Sequence, residues 1–160
     1  LNERGEGHVT TIDKASAQRH EPGIFQNLEA VGLSRFVTAV FSERSYTWEL
    51  GKMVASLDRP QFDLCYFDGG HTWDMTGFGF VLVDLLIRPG GWIIFDDLDW
   101  TIETSPAAIA NSFSSYRNFS VDERRTPAVR MVFENLVPEK GYTNTFERDG
   151  WGFAQKPLTP

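Results

Sequence analysis

The sequence predicts an α/β fold: a doubly wound, mostly parallel sheet with helices on both faces and a C-terminal antiparallel hairpin. Apolar runs alternate with stretches of helical periodicity, which indicates βαβ units. The runs at 62–68 and 92–97 are nearly continuously apolar, as is typical of strands buried on both faces. Near the end of the chain, Asp149-Gly150 separates two alternating runs, which is a strong hairpin signal.

The first half of the chain contains two predicted strands, "HVTTID" (8–13) and "RFVTAVF" (35–41). Apolar residues at helical spacing predict a helix in "PGIFQNLEAVGL", with Gly32 at its end. A second, amphipathic helix is predicted by a stripe at i, i+3, i+4 and i+7, formed by Leu50, Met53, Val54 and Leu57.

The second half begins with the predicted strand "FDLCYFD" (62–68). The helix after His71 is expected to bury one apolar face and to end at "RPGG" (88–91), before the strand "WIIFDD" (92–97). That face consists of Phe78, Val81, Leu82, Leu85 and Leu86. Proline near a first turn predicts helices in "SPAAIANSFSSY" and "TPAVRMVFENLV". No linker or repeat divides the chain, so we predict one domain over residues 1–160.

Composition narrows the functional classes. The 160 residues are 41% hydrophobic and 23% charged, which suits one globular domain. A net charge of −7 without a Lys/Arg cluster disfavours nucleic acids and anionic membranes as partners. The single Cys65 excludes an intramolecular disulfide and lies in an apolar run, so we expect a buried thiol. No apolar stretch approaches the ~18 residues of a membrane span, and the cytoplasm is the expected location.

Carboxylates stand at the ends of several predicted strands: Asp13, Asp68, Asp96 and Asp97. Ligands of open parallel sheets bind beyond the carboxyl ends of the strands. If the two apolar strands are neighbours, Asp68 lies roughly 5 Å from the Asp96–Asp97 pair. Carboxylates this close repel one another unless one is protonated or a cation such as Mg²⁺ lies between them. The alternative is structural, because strand-end aspartates also cap the following helix.

Other residues near these ends have both a functional and a structural interpretation. His71 has the side-chain chemistry of a general base, or it is a helix cap or a solvated side chain. Gly69 and Gly70 either let a ligand approach the backbone or form a tight turn. Trp73 and Trp100 either wall a substrate pocket or belong to the core.

The segment "FDLCYFDGGHTWDMTGFGFVLVDLLIRPGGWIIFDDLDW" resembles the second half of a class I S-adenosylmethionine-dependent methyltransferase, which has a Rossmann-like fold. The resemblance extends from about residue 8 to 156 and is most specific over 62–100. The most similar subgroup comprises small-molecule O-methyltransferases whose fourth strand ends in a DGxH-like motif. There, an apolar strand ending in Asp precedes a helix, a "PGG" and a strand ending in a pair such as DD or DN.

The resemblance implies a role for each of several positions. Asp13 corresponds to the acid that hydrogen-bonds the cofactor ribose, and Ser42 and Ser45 correspond to positions near the adenine. Asp68 and Gly69 would also contact S-adenosylmethionine. The metal ligands would be Asp68, Asp96 and Asp97, with Mg²⁺ as the candidate ion. His71 would be the general base that takes the proton of a small-molecule hydroxyl before it attacks the sulfonium methyl in line.

Two departures from the family pattern concern the first strand and Gly70. The family's first strand, with its glycine-rich turn, has no counterpart in these 160 residues, and the resemblance places it between "HVTTID" and "FDLCYFD". We therefore expect no measurable methyl transfer from these residues alone. We also expect a homo-oligomer, because a sheet without that strand exposes unpaired backbone and apolar surface. Gly70 stands where related sequences often have a further acid.

Two other functional classes remain open from the sequence. A Rossmann-type NAD(P)-dependent oxidoreductase also binds ribose with an acid at the end of its second strand, but it needs a G-x-G-x-x-G turn that this chain lacks. The C-terminal hairpin and "FDD" favour the methyltransferase. A non-catalytic binding domain of the same fold is the third class, since fold alone does not fix function.

Overall fold

A computed structural model describes residues 5–106 and 116–158 of the chain. The strands are β1 (Val9–Lys14), β2 (Val37–Ser42), β3 (Phe62–Phe67), β4 (Ile87–Phe95), β5 (Thr143–Arg148) and β6 (Trp151–Gln155). The α-helices are α1 (Ile24–Ala30), α2 (Tyr46–Ala55), α3 (Trp73–Leu86), α4 (Val121–Arg125), α5 (Ala128–Met131) and α6 (Val137–Glu139). A π-helical segment, Val132–Leu136, joins α5 to α6. Across the two described ranges, no helix combines the length and apolarity needed to cross a bilayer.

The chain divides into two compact units, Leu1–Lys52 and Met53–Pro160. The single domain expected from the sequence stays a prediction, and each unit is considered by itself. The predicted helix "SPAAIANSFSSY" lies largely outside the described residues, whereas "TPAVRMVFENLV" is helical with a π segment inside it.

In the first unit, β1 and β2 pair in parallel, with Val9 opposite Val37 and Lys14 opposite Ser42. The predicted helix α1 connects them, and Gly32 follows it with a φ of +70°, as expected of a glycine that ends a helix. The next helix, α2, ends at Ala55. Leu57, expected in its apolar stripe, therefore lies beyond the helix and is fully exposed.

The second unit contains a four-stranded sheet in the order β3-β4-β6-β5. The β3–β4 pair is parallel, and β6 pairs antiparallel with both β4 and β5. The predicted hairpin is confirmed: Asp149 and Gly150 have φ values of 53° and 82°, the two left-handed residues that a type I′ turn requires.

The strands form two sheets rather than the single sheet expected from the sequence. The resemblance places the family's first strand between β1 and β3, and these two strands belong to different sheets here. A further difference concerns "RPGG", which belongs to the first half of β4 instead of a turn after α3. The helix ends at Leu86, and the strand begins at the next residue.

Side chains from α3, β4 and the π segment form the core of the second unit. The ring of Phe95 on β4 lies 5.8 Å from that of Phe80 on α3 and 5.7 Å from that of Phe133 on the π segment. Gly152 on β6 lies beside Phe133, where a β-carbon would fall 2.8 Å from the ring. This contact lets the π segment pack directly on the sheet.

The expectation that β3 is buried on both faces is wrong. Leu64 and Tyr66 are 54% and 48% exposed, whereas Phe67 is buried against Phe95. Successive strand residues point to opposite faces, and within the described part of the second unit the helices pack on the Phe67 face. Cys65 is half-buried, and desolvation raises the pKa of its thiol to about 12.

The expected buried face of α3 is also partly wrong, since Phe78, Val81 and Leu85 are exposed. Leu82 and Leu86 are buried as predicted, together with Phe80 and Val83. The helix is apolar almost all round, so periodicity alone did not identify the face that packs on the sheet.

Replacing Gly152 with alanine is expected to destabilise the second unit by about 1–3 kcal/mol, because the new β-carbon overlaps the buried ring of Phe133. Urea unfolding of wild type and variant measures the difference. Gly51→Ala is the matched control: Gly51 has no heavy atom near its β-position and lies inside α2, so alanine should stabilise by about 0.5–1 kcal/mol. A Gly152→Ala protein as stable as wild type would contradict the packing described.

Candidate active site

Three ionisable side chains of the second unit meet beyond the carboxyl ends of β3 and β4. Asp68 directly follows β3, His71 lies three residues later, and Asp97 follows β4 by two residues. The Nε2 atom of His71 is 3.7 Å from Oδ1 of Asp68 and 3.4 Å from Oδ2 of Asp97. One ligand atom from each side chain lies within 4.8 Å of the other two. The group is therefore compact enough to hold one divalent cation.

His71 presents a buried nitrogen to this group. Its side chain is 18% exposed, and Nε2 has no hydrogen-bond partner among the described residues. The imidazole lies against the indole of Trp100, with ring centroids 4.9 Å apart and an interplanar angle of 31°. A buried polar atom without a partner costs free energy, so Nε2 marks a position for a proton or ligand from outside the chain.

The donor set fits a divalent cation. Carboxylate oxygens are the ligands of Mg²⁺ and Mn²⁺, and a neutral imidazole nitrogen also binds divalent metals. Asp68 and Asp97 are each about half exposed, so an ion can reach them from solvent. The residues present therefore fit the metal that the resemblance implies.

Asp96 has a different environment from Asp97. The phenol of Tyr66 donates a hydrogen bond to its Oδ2, and the backbone N–H of Asp97 donates to its Oδ1 at 2.8 Å. The hydrogen bond to Asp96 is the main reason that the pKa of Tyr66 rises to about 12; burial and the nearby carboxylates act in the same direction. The compact group is thus Asp68, His71 and Asp97, and a metal-binding role for Asp96 stays a prediction.

The backbone at Asp97 is in the left-handed region, with φ of 53°. This conformation costs a non-glycine residue of the order of 1 kcal/mol and persists where neighbouring contacts fix it. Leu98 supplies such contacts: its side chain is fully buried, and its N–H donates to the carbonyl of Gly150 at 3.2 Å. The N–H of Trp100 donates to the carbonyl of Asp97 at 3.0 Å.

A cavity of about 220 Å³ adjoins the cluster. Its lining residues come from the loop after β4 and from the hairpin turn: Asp96, Asp97, Leu98, Asp99, Trp100, Asp149, Gly150 and Trp151. Trp100 therefore lines a cavity, which agrees with its interpretation as a pocket wall. Trp73 is not among the residues that line this cavity. Trp151 also lines the cavity, and its position directly after the Asp149-Gly150 turn is the signal in the sequence that points to it.

The remaining predicted cofactor residues lie in other places. Asp13 is the penultimate residue of β1 in the first unit, lines a separate cavity of about 380 Å³, and accepts a hydrogen bond from the N–H of Lys14. Ser42 and Ser45 bond to each other at the start of α2: the Ser42 hydroxyl donates to the Ser45 carbonyl at 2.7 Å. Gly69 lies in the loop between β3 and α3. The cofactor roles of these residues stay predictions.

Residues 1–98 match the profile of a family described as a methyltransferase domain. The chain belongs to this methyltransferase domain family. The match spans the whole of β1 to β4, including Asp68, His71 and Asp97. It favours the methyltransferase prediction over the nicotinamide oxidoreductase considered from the sequence. A comparison with curated protein sequences gives no significant match.

Solved structures of O-methyltransferases share the fold of this methyltransferase domain. The enzyme from Bacillus cereus, in complex with SAH, is 18% identical with a TM-score of 0.62, over 94% of this chain and 63% of that one. TomG from Streptomyces achromogenes, in complex with SAM, is 14% identical with a TM-score of 0.60, over 96% and 63%. MycE of the mycinamycin pathway, in complex with Mg, SAH and mycinamycin VI, is 12% identical with a TM-score of 0.55, over 94% and 45%.

At sequence identities this low, the structural similarity shows a shared fold. The chain spans 63% of the length of the first two of these proteins and less than half of MycE. The α/β architecture expected from the sequence is confirmed by this likeness, which covers nearly the entire chain.

Replacing Asp96 with asparagine is expected to lower the pKa of Tyr66 from about 12 toward the ordinary value near 10, because the carboxylate that accepts its hydrogen bond is removed. NMR titration of ¹³C-labelled tyrosine, assigned with Tyr66→Phe, measures this pKa. Asp63→Asn is the control, since Asp63 lies on the same strand but pairs with Arg88. Titration of Tyr66 near pH 10 in the wild type would contradict the hydrogen bond.

Proposed function

We propose that these residues carry the active site of an enzyme that transfers a methyl group from S-adenosylmethionine to the hydroxyl of a small molecule. The observation that carries the proposal is the meeting of Asp68, His71 and Asp97 at the ends of β3 and β4, in a chain of the methyltransferase domain family. Structural relatives that bind SAM or SAH, and in one case Mg as well, support the same assignment.

His71 is the proposed general base. Its buried Nε2 lacks a partner among the described residues and so is available for the proton of the acceptor hydroxyl. Asp68 and Asp97, within 3.7 Å of that atom, stabilise the positive charge that the ring acquires. Trp100 packs against the ring and restricts its orientation. The deprotonated oxygen then attacks the sulfonium methyl, and S-adenosylhomocysteine leaves.

Asp68 and Asp97 are the side chains that would hold a divalent cation such as Mg²⁺, and Asp96 is a further predicted ligand. Such an ion would lower the pKa of the acceptor hydroxyl and offset the charge of the carboxylates. Asp13 is the proposed ribose ligand, and Ser42, Ser45 and Gly69 are proposed contacts of the cofactor. We also propose a cytoplasmic location, which rests on the sequence alone.

Calorimetry with the unmodified chain tests the cofactor assignment. We expect S-adenosylhomocysteine to bind and NAD not to bind, and Asp13→Ala to weaken S-adenosylhomocysteine binding about tenfold or more through loss of the charged hydrogen bond to ribose. Glu29→Ala on α1 is the matched control and should bind as wild type does. Binding of NAD with no response to S-adenosylhomocysteine would reverse the assignment, and no response to either ligand would favour a non-catalytic domain.

We propose, in addition, that the chain self-associates through the four-stranded sheet. Among the described residues β3 pairs only with β4, so its other edge is open. The face opposite the one that packs against α3 has an apolar row across all four strands, formed by Tyr66, Ile94, Phe153 and Phe146. An open edge beside an exposed apolar face favours association.

Light scattering is expected to give a mass above the 18.1 kDa of one chain. Leu64→Lys should shift the protein toward the monomer, because it places a charge on the exposed face of the edge strand. Val121→Lys is the control, since Val121 is equally exposed but begins α4. A monodisperse wild-type monomer would refute this association.

A further inference from the structure

Arg130 of α5 contacts three carboxylates that come from three parts of the second unit. Its Nε donates to Asp99 at 2.8 Å, and its Nη1 donates to Glu134 at 3.1 Å. Nη1 and Nη2 form a bidentate pair with Glu147 on β5, at 2.8 and 3.1 Å. These hydrogen bonds, that to Glu147 first, raise the pKa of Arg130 above its ordinary value. All three guanidinium nitrogens are therefore engaged.

The contact with Asp99 connects Arg130 to the candidate active site. Asp99 belongs to the segment 96–100, here called the acidic loop, which also includes Asp97 and Trp100. Asp97 contributes a carboxylate to the cluster with His71, and Trp100 supplies the ring on which His71 stacks. Anything that moves Asp99 acts on residues one and two positions away, which contact the histidine.

The acidic loop needs such an attachment for two reasons. Its backbone is in the left-handed region at Asp97, a conformation that persists only where neighbouring contacts fix it. It also holds three carboxylates within four residues, at positions 96, 97 and 99, whose mutual repulsion favours opening of the loop. Leu98 anchors the middle of the loop in the core, and Arg130 anchors its far side.

Isolated surface ion pairs contribute little to stability, but the ion pairs of Arg130 differ from these in geometry and burial. Arg130 is 23% exposed, makes a bidentate contact and belongs to a network of four charges. A lysine has the same charge but one donor atom, so it is unable to reproduce three contacts in fixed directions. The shape of the guanidinium, as well as its charge, is required.

We propose that Arg130 is a positioning residue of the active site: through Asp99 it fixes the acidic loop, and so sets Asp97 and Trp100 against His71. The effect of Arg130 on metal binding rests on the proposed function. The effect of Arg130 on the conformation of the acidic loop does not rest on it, and that conformation can be measured without metal, cofactor or turnover.

The first test is the proton NMR signal of Hε1 on the His71 ring. The chain has three histidines, His8, His20 and His71, so the signals are assigned by single replacements. The stacked indole of Trp100 should shift the His71 signal by its ring current. We expect Arg130→Gln and Asp99→Asn each to reduce this shift by about half or more, and Arg130→Lys to do nearly the same.

The matched control is Arg125→Gln. Arg125 is also an arginine in an ion pair, with Glu103 at 2.8 Å, but it is exposed and its ion-pair partner lies outside the acidic loop. It should leave the His71 signal unchanged. Glu134→Gln is a second control, because it removes one partner of Arg130 while the Asp99 contact remains. If Arg130→Gln fails to fold, Asp99→Asn removes the carboxylate charge and so weakens the same contact from the other side.

The second test is Mn²⁺ binding, followed by electron paramagnetic resonance of the free ion. Arg130→Gln and Arg130→Lys should each lower the affinity for Mn²⁺ about tenfold. The double variant that combines Arg130→Gln with Asp99→Asn should bind Mn²⁺ no more weakly than Arg130→Gln alone. An unchanged His71 signal in Arg130→Gln and Asp99→Asn would overturn the inference. A wild-type chain that binds no Mn²⁺ would count against the proposed metal site, and the His71 signal would then decide the role of Arg130.

Discussion

The parallel pairing of β3 with β4 is the constraint on which the candidate site depends. Its register sets Phe67 opposite Phe95, so both strands end at the same level, and the N–H of Asp96 still donates to the carbonyl of Phe67. Residues that follow the two strands therefore leave the sheet side by side, although they lie about thirty positions apart in the chain. A shift of one residue would turn the strand's side chains to the opposite face.

Pairing brings the two chain segments together, but it does not orient their side chains. The orientation comes from the loop after β4, which the buried Leu98 and the contact of Arg130 with Asp99 hold in place. The left-handed backbone at Asp97 directs its side chain toward His71, while Asp96 faces Tyr66. Two adjacent carboxylates thereby acquire different surroundings. One joins a compact group with an imidazole, and the other is occupied by a phenol and a backbone amide.

Much of the candidate site is predictable because its residues follow the ends of strands. The apolar pattern of a strand shows where that strand ends, and therefore which residues lie at the edge of the sheet. On that basis the sequence predicts Asp68, His71, Asp96 and Asp97, and three of these four, all but Asp96, form the compact group. Arg130 was not predicted, because a basic residue in an amphipathic helix normally faces solvent, and its partners Asp99 and Glu147 lie 31 and 17 positions away. Tyr66 and Trp151, whose rings lie 5.4 Å apart, were missed since each belongs to a strand of ordinary apolar pattern.

The sequence by itself determined the succession of strands and helices and the hairpin, since periodicity and the Asp149-Gly150 turn are local properties of the chain. It also determined which acids end the strands. Only the tertiary structure decided which face of β3 and of α3 is covered, how the strands divide between sheets, and which of two neighbouring aspartates meets His71. Those outcomes depend on packing between segments distant in the chain, and alternation or helical spacing is the same whichever face is buried.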